Sequence, residues 1–119
     1  MDSKSGNRPV PSGLRDRRYA IRYPFAANAD ILDLKSGTRL KCVTSDLSLG
    51  GCFVCTRRPL EVGTRIRFTL EHLGKTLTGL AVVRVSKAQT GMGIEFLDFD
   101  WESMKIILAW VETVAQSRQ

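Results

Sequence analysis

Two clusters of residues in this 119-residue chain have the types and spacing to do chemistry. The first is basic, Arg17-Arg18-Tyr19-Ala20-Ile21-Arg22, in which Arg18 and Arg22 stand four apart with Arg17 directly ahead. Guanidinium groups pair bidentately with phosphate oxygens and also stack on bases, so the cluster suits a phosphate-bearing partner. The second is Asp46-Leu47-Ser48-Leu49-Gly50-Gly51. Its carboxylate can accept two hydrogen bonds, which suits the adjacent N1–H and N2–H donors of a guanine edge. Ser48 offers a hydroxyl, while Gly50 and Gly51 permit positive φ and close backbone approach, presenting amides to an anionic or carbonyl oxygen. Both clusters also have plainer uses. Asp46 and Ser48 can satisfy the amides of a tight Gly-Gly turn, and the arginines can belong to a solvated tail.

Charge distribution sharpens the first cluster. The net charge is +6, yet residues 1–25 hold six bases against two acids, and the other 94 residues only twelve against ten. The classes this composition excludes are informative too. With 43% hydrophobic residues the chain can bury one core, and 119 residues make one domain. Apolar stretches fall far short of the roughly 20 residues of a membrane helix, and residues 1–13 lack the apolar middle of a signal peptide. The expectation is a cytoplasmic domain without membrane insertion. An odd cysteine count (Cys42, Cys52, Cys55) argues against a disulfide framework, and Cys52-Phe-Val-Cys55 lacks the polar knuckle of a zinc site. All three are expected as buried, reduced core residues. No P-loop, metal-ligand cluster or His/Ser/Asp arrangement is present, and a lone His72 far from Asp46 makes no catalytic pair, so an enzyme is not expected.

The elements that must position these clusters follow from periodicity. Residues 1–14 read as a flexible tail and 15–25 as an arginine-rich arm, in which Pro24 limits any helix to one short turn. Six apolar runs follow, at about 26–34, 39–45, 52–56, 65–70, 76–86 and 92–97, separated by turn residues. Ile66, Phe68 and Leu70 alternate with Arg65, Arg67 and Thr69, the mark of a half-buried antiparallel strand. Gly79 is expected to allow a bend or bulge. Beyond Asp98 the period changes: Trp101, Met104, Ile107, Leu108, Val111, Val114 and Ala115 recur at helical spacing over 99–116, capped by Asp98 or Asp100. Ile106 and Trp110 fall off that stripe and are expected to form an exposed patch. Together these predict a six-stranded antiparallel β-barrel, residues 26–98, followed by one C-terminal α-helix.

An RxxxR pair ahead of the first strand, followed by DxSxxG between the second and third, resembles the PilZ domain family. The resemblance spans roughly residues 15–115 and includes the Gly-Met-Gly-Ile-Glu-Phe stretch at 91–96. It implies a bacterial receptor for the second messenger cyclic di-GMP, a ligand rather than a cofactor, signalling to an effector protein. By that likeness Arg18 and Arg22 would hold phosphates and the O6/N7 edge of guanine, Asp46 the opposite guanine edge, and Ser48, Gly50 and Gly51 the floor. Arg17 fills the basic position that the family associates with an intercalated ligand dimer. Arg84 stands where many relatives carry a base-stacking aromatic; it can stack through its guanidinium or simply face solvent. The competing classes are a basic nucleic-acid-binding barrel and an adaptor that works by protein contact alone. Against the former, the only stacking aromatics expected at the surface are Tyr19 and Tyr23 in the arm.

Overall fold

The computed structural model describes residues 19–117. Arg17, Arg18 and the expected tail lie outside the described residues. Seven strands and one helix follow in order: β1 (Tyr23–Pro24), β2 (Asn28–Asp33), β3 (Arg39–Leu47), β4 (Gly51–Cys55), β5 (Arg65–His72), β6 (Lys75–Lys87), β7 (Gly91–Phe99) and α1 (Trp101–Ser117). Strands β3-β2-β5-β6-β7-β4 pair in that order, all antiparallel, and β4 returns to pair with β3. The sheet therefore closes into the expected six-stranded barrel. The two-residue β1 is additional and lies on β3 with Tyr23 opposite Leu47 and Pro24 opposite Asp46.

Alternation builds the core. Ile31, Val54, Ile66, Phe68, Leu70, Val83 and Ile94 point inward and are fully buried, each contributing roughly 1.5–3 kcal/mol by leaving water. The chain between β1 and β2 is held to β3 by two backbone bonds, Phe25 amide to Ser45 carbonyl and Thr44 amide to Ala27 carbonyl, and by one buried side chain. The Thr44 hydroxyl donates to the Phe25 carbonyl at 2.6 Å and accepts from the Ala27 amide at 2.9 Å, satisfying the two backbone groups that the bend takes off the ladder. Gly79 sits where β6 presses on β7: a methyl group there would fall 2.5 Å from the Asp98 carbonyl oxygen and 2.9 Å from the Phe68 ring. The register shift comes one residue later, between Leu80 and Ala81.

The helix buries Ile107 and Val111 of the expected stripe, with Met104 and Leu108 packed beside them. Ser103 and Trp110 are buried as well, and Ile106, expected in an exposed patch, also packs against the core. Asp100 accepts from the Ser103 amide at 2.7 Å, a cap that holds its carboxyl below the usual range. The Ser103 hydroxyl then bonds the backbone of Thr78, which fixes the helix rotation and places Ser103, Ile107, Trp110 and Val111 inward. Trp110, expected in an exposed patch, is 8% exposed and stacks near Phe25 (5.2 Å) and His72 (5.7 Å); Trp101, expected on the buried stripe, is 71% exposed. A buried polar residue in the helix's first turn is what an apolar count misses.

The cysteines also divide. Cys52 points into the core, where burial pushes its thiol up to about 12, and Cys42 is half-buried, with burial raising it as well. Cys55, expected in the core, is exposed, because three residues along a strand reverse the face. In a native-state thiol-reactivity assay Cys55 is expected to react first and Cys52 only on unfolding. In urea denaturation Gly79→Ala is expected to lose about 1–3 kcal/mol of stability through overpacking.

Candidate functional site

The glycine turn joins β3 to β4. Asp46 and Leu47 end β3, residues 48–50 form the turn, and Gly51 opens β4. Ser48 is 1% exposed and works inside the turn: its amide donates to the Gly51 carbonyl at 2.8 Å, and its Oγ accepts from the Gly50 and Gly51 amides at 3.2 Å each. The turn thus satisfies its own amides. Gly51 lies against β7 so closely that a Cβ would fall 2.1 Å from the Ile94 carbonyl oxygen. Gly50 is held by its carbonyl, which accepts from the Phe96 amide at 2.9 Å. Tyr19 sits over it, and a Cβ on Gly50 would come 3.2 Å from the Tyr19 carbonyl oxygen.

Two β-bulges flank this turn. On β3, Thr44 pairs with Val54 and Asp46 with Phe53, leaving Ser45 as the extra residue; on β6, Val83 pairs with Ile94 and Val85 with Gly93, leaving Arg84 extra. Bulges interrupt the regular alternation and re-aim side chains. Asp46 comes to the outer wall, where Oδ1 accepts from the Phe53 amide at 3.1 Å and from Arg22 Nη1 at 3.0 Å. Oδ2 has no partner among the described residues. Arg22, delivered by the chain just ahead of β1, and Asp46 are both part-exposed. Arg84 projects outward and its Nε donates to Glu95 at 2.5 Å.

These groups border a cleft of about 380 Å³ lined by Tyr19, Arg22, Ser48, Gly50, Arg84 and Glu95, with Val85, Gly93 and Ile94. Of the expected site residues, the structure brings Arg22, Ser48, Gly50 and Arg84 to one cleft and bonds Asp46 to Arg22 at its edge. Gly51 lies beneath, in the barrel wall. Sequence reasoning missed Glu95, the partner of Arg84, and Phe53, the outer-wall neighbour of Asp46. Alternation within Cys52-Phe53-Val54 would have put Phe53 outside, so the barrel does carry a surface aromatic beyond Tyr19 and Tyr23. A larger hollow of about 480 Å³ lies over β2, β3 and β5, but its cation, Lys41, already faces Asp30 at 3.6 Å. Among the described residues no three His, Cys, Asp or Glu side chains gather as a metal site, and no helix is long and apolar enough to cross a membrane.

A closed six-stranded antiparallel barrel with one C-terminal helix, entered by a basic segment that meets a glycine turn, defines a compact class of domain. The chain belongs to the PilZ domain family, whose model matches residues 16–113. Solved structures share the fold at low identity. The Bacillus subtilis inhibitor of motility MotI/DgrA aligns with a TM-score of 0.68 and 14% identity over 83% of this chain; this chain spans only 51% of that one. The PilZ domain with c-di-GMP of YcgR from Escherichia coli gives 0.62 and 16%, covering 82% of this chain and 91% of that one. The PilZ domain of CeSA from a cellulose-synthesizing bacterium gives 0.62 and 19%, covering 81% and 99%. Comparison with curated proteins found no match.

The part-exposed Arg22–Asp46 pair and the buried Ser48 turn should differ in what they contribute to the fold. Arg22→Ala is expected to change the unfolding free energy by less than about 1 kcal/mol. Ser48→Ala, which strips the acceptor from two turn amides, is expected to cost about 1–3 kcal/mol. Denaturant melts of both variants measure the contrast.

Proposed function

We propose that this chain is a bacterial, cytoplasmic receptor for cyclic di-GMP that changes conformation on binding and relays the signal to a protein partner, without catalysing a reaction. In this reading residues 15–25 are the ligand-binding arm, 26–98 the barrel and 99–116 the helix. Family membership supports the ligand class, and two neighbours of the same fold, YcgR of Escherichia coli and PlzA of Borreliella burgdorferi, are PilZ-fold structures with c-di-GMP.

The observation that carries the reading is the meeting of Arg22 and Asp46 across 24 residues of chain, at the edge of the cleft beside the Gly50 turn. A guanidinium and a carboxylate so placed have complementary work on a guanine nucleotide. Arg22, with Arg18 from the arm, binds phosphate and the O6/N7 edge; Asp46 accepts from N1–H and N2–H. Ser48, Gly50 and Gly51 hold the floor, and Arg84 stacks or pairs at the far wall. Arg17 brings a further cation for a second, intercalated nucleotide. Neutralising the arm's charge lets it close over the ligand, and the new surface is what the partner reads. A carboxylate at this edge also works against a polyanion, which disfavours the oligonucleotide-binding alternative.

Titration calorimetry with cyclic di-GMP tests this. Arg18→Ala, Arg22→Ala and Asp46→Ala are each expected to weaken binding at least about tenfold, since charge-assisted hydrogen bonds are worth ~1.5–3 kcal/mol. Unchanged affinity in all three refutes the reading. A stoichiometry of two nucleotides per chain supports the dimer, and one excludes it.

A further inference from the structure

Beside Asp46 the outer wall carries an aromatic ring that nothing in the motifs assigns. Phe53 is the cross-strand partner of Asp46, and its amide donates to the Asp46 carboxylate at 3.1 Å. The ring lies along the outer wall over β7, on a strip that has no side chains of its own. A Cβ on Gly91 would fall 2.6 Å from the Phe53 ring, and one on Gly93 would lie 3.9 Å from its Cδ1. Gly93 lines the Arg22–Arg84 cleft together with the exposed Val85, so the ring continues the cleft floor. Over the ring stands one flexible cation: Lys87 Nζ is 5.9 Å from the centroid, and Lys87 is itself exposed.

We infer that Phe53 and Lys87 form a purine-stacking position that extends the cleft, with Phe53 taking the face of a guanine and Lys87 a phosphate oxygen. The inference rests on the cyclic di-GMP reading and deepens it. A base whose N1–H and N2–H donate to Asp46 is held by its edge, which leaves its face to be satisfied, and the Phe53 ring belongs to the residue directly across the strands from that carboxylate. Aromatic stacking is indifferent to which base is bound, so Phe53 supplies affinity while Asp46 supplies the choice of guanine. The Lys87 ammonium covers the ring by a cation–π contact in the structure. It sits on a long side chain, so it can leave the ring face to the base and turn to a phosphate within reach.

The experiment is calorimetry with cyclic di-GMP on the full chain, comparing wild type, Asp46→Ala, Phe53→Leu, Phe53→Tyr and Lys87→Met. Phe53→Leu keeps an apolar cover over the glycines and removes the π-face. It is expected to weaken binding about tenfold or more, whereas Phe53→Tyr stays within about threefold of wild type. Lys87→Met is expected to lose about three- to tenfold and to flatten the salt dependence of affinity. If wild type binds and Asp46→Ala does not, while Phe53→Leu and Lys87→Met match wild type, the stacking position is wrong and the receptor reading stands. If wild type does not bind, both fall. Should Phe53→Leu fail to fold, the exposed Lys87→Met decides: affinity and salt slope equal to wild type overturn the inference.

Discussion

Closure of the barrel at Gly51 is the constraint on which the rest of this structure depends. Strand β4 must pair with β3 on one side and β7 on the other, and the ring of strands shuts only if its first residue passes against the Ile94 carbonyl. No residue with a side chain fits there. The Ser48 turn is the complement of that contact, because it lets the chain reverse into β4 with its amides already bonded. The residues that read as a ligand motif are thus first a device for sealing the sheet. What lies at the surface for a ligand is the carboxylate just before the turn and the shallow ground over Gly50 and Gly93.

Such sharing makes the cleft rigid where it needs to be. Asp46 is tethered by the Phe53 amide, and β1 lies across it on the opposite edge of β3. Arg22 precedes β1 directly, so the backbone that carries it is anchored by Thr44 and by the packing of Phe25 against His72 and Trp110. Arg22 therefore meets an acceptor whose backbone is already held, and in the proposed reading an occupant finds the Asp46 edge set in advance. Preorganisation of this kind lowers the entropic cost of binding.

Much of this was legible in the residues. Period-two alternation located all six barrel strands to within a few positions, and the switch to a period near 3.6 after Asp98 located the helix. Side-chain orientation beyond those periods was harder to read. Ser103 hid the buried face of α1, so Trp101 and Trp110 exchanged places, and Cys55 was assigned to the core although its distance from Cys52 argues otherwise. On the site, the types and order of Arg22, Asp46 and Ser48 were visible. The role of Ser48 inside the turn, the pairing of Arg84 with Glu95 and the position of Phe53 were not. Each of these depends on which strands become neighbours, and hydrogen-bond partners 11 residues apart, as for Arg84 and Glu95, leave no local trace in the chain.

The bulges at Ser45 and Arg84 have a consequence for how the sequence can vary. In a regular strand residues two apart share a face, yet Thr44 is buried while Asp46 is at the outer wall, and Val83 is buried while Val85 is exposed. Each bulge is a change of parity. It separates a stretch of chain answerable to the core from one answerable to the cleft, so that substitutions on one side of it do not constrain the other. Losing one residue at either point would leave a regular ladder and an intact hydrophobic interior. The carboxylate would turn inward only if Ser45 stayed and its strand were paired without the bulge, which would set Asp46 on the same face as the buried Thr44.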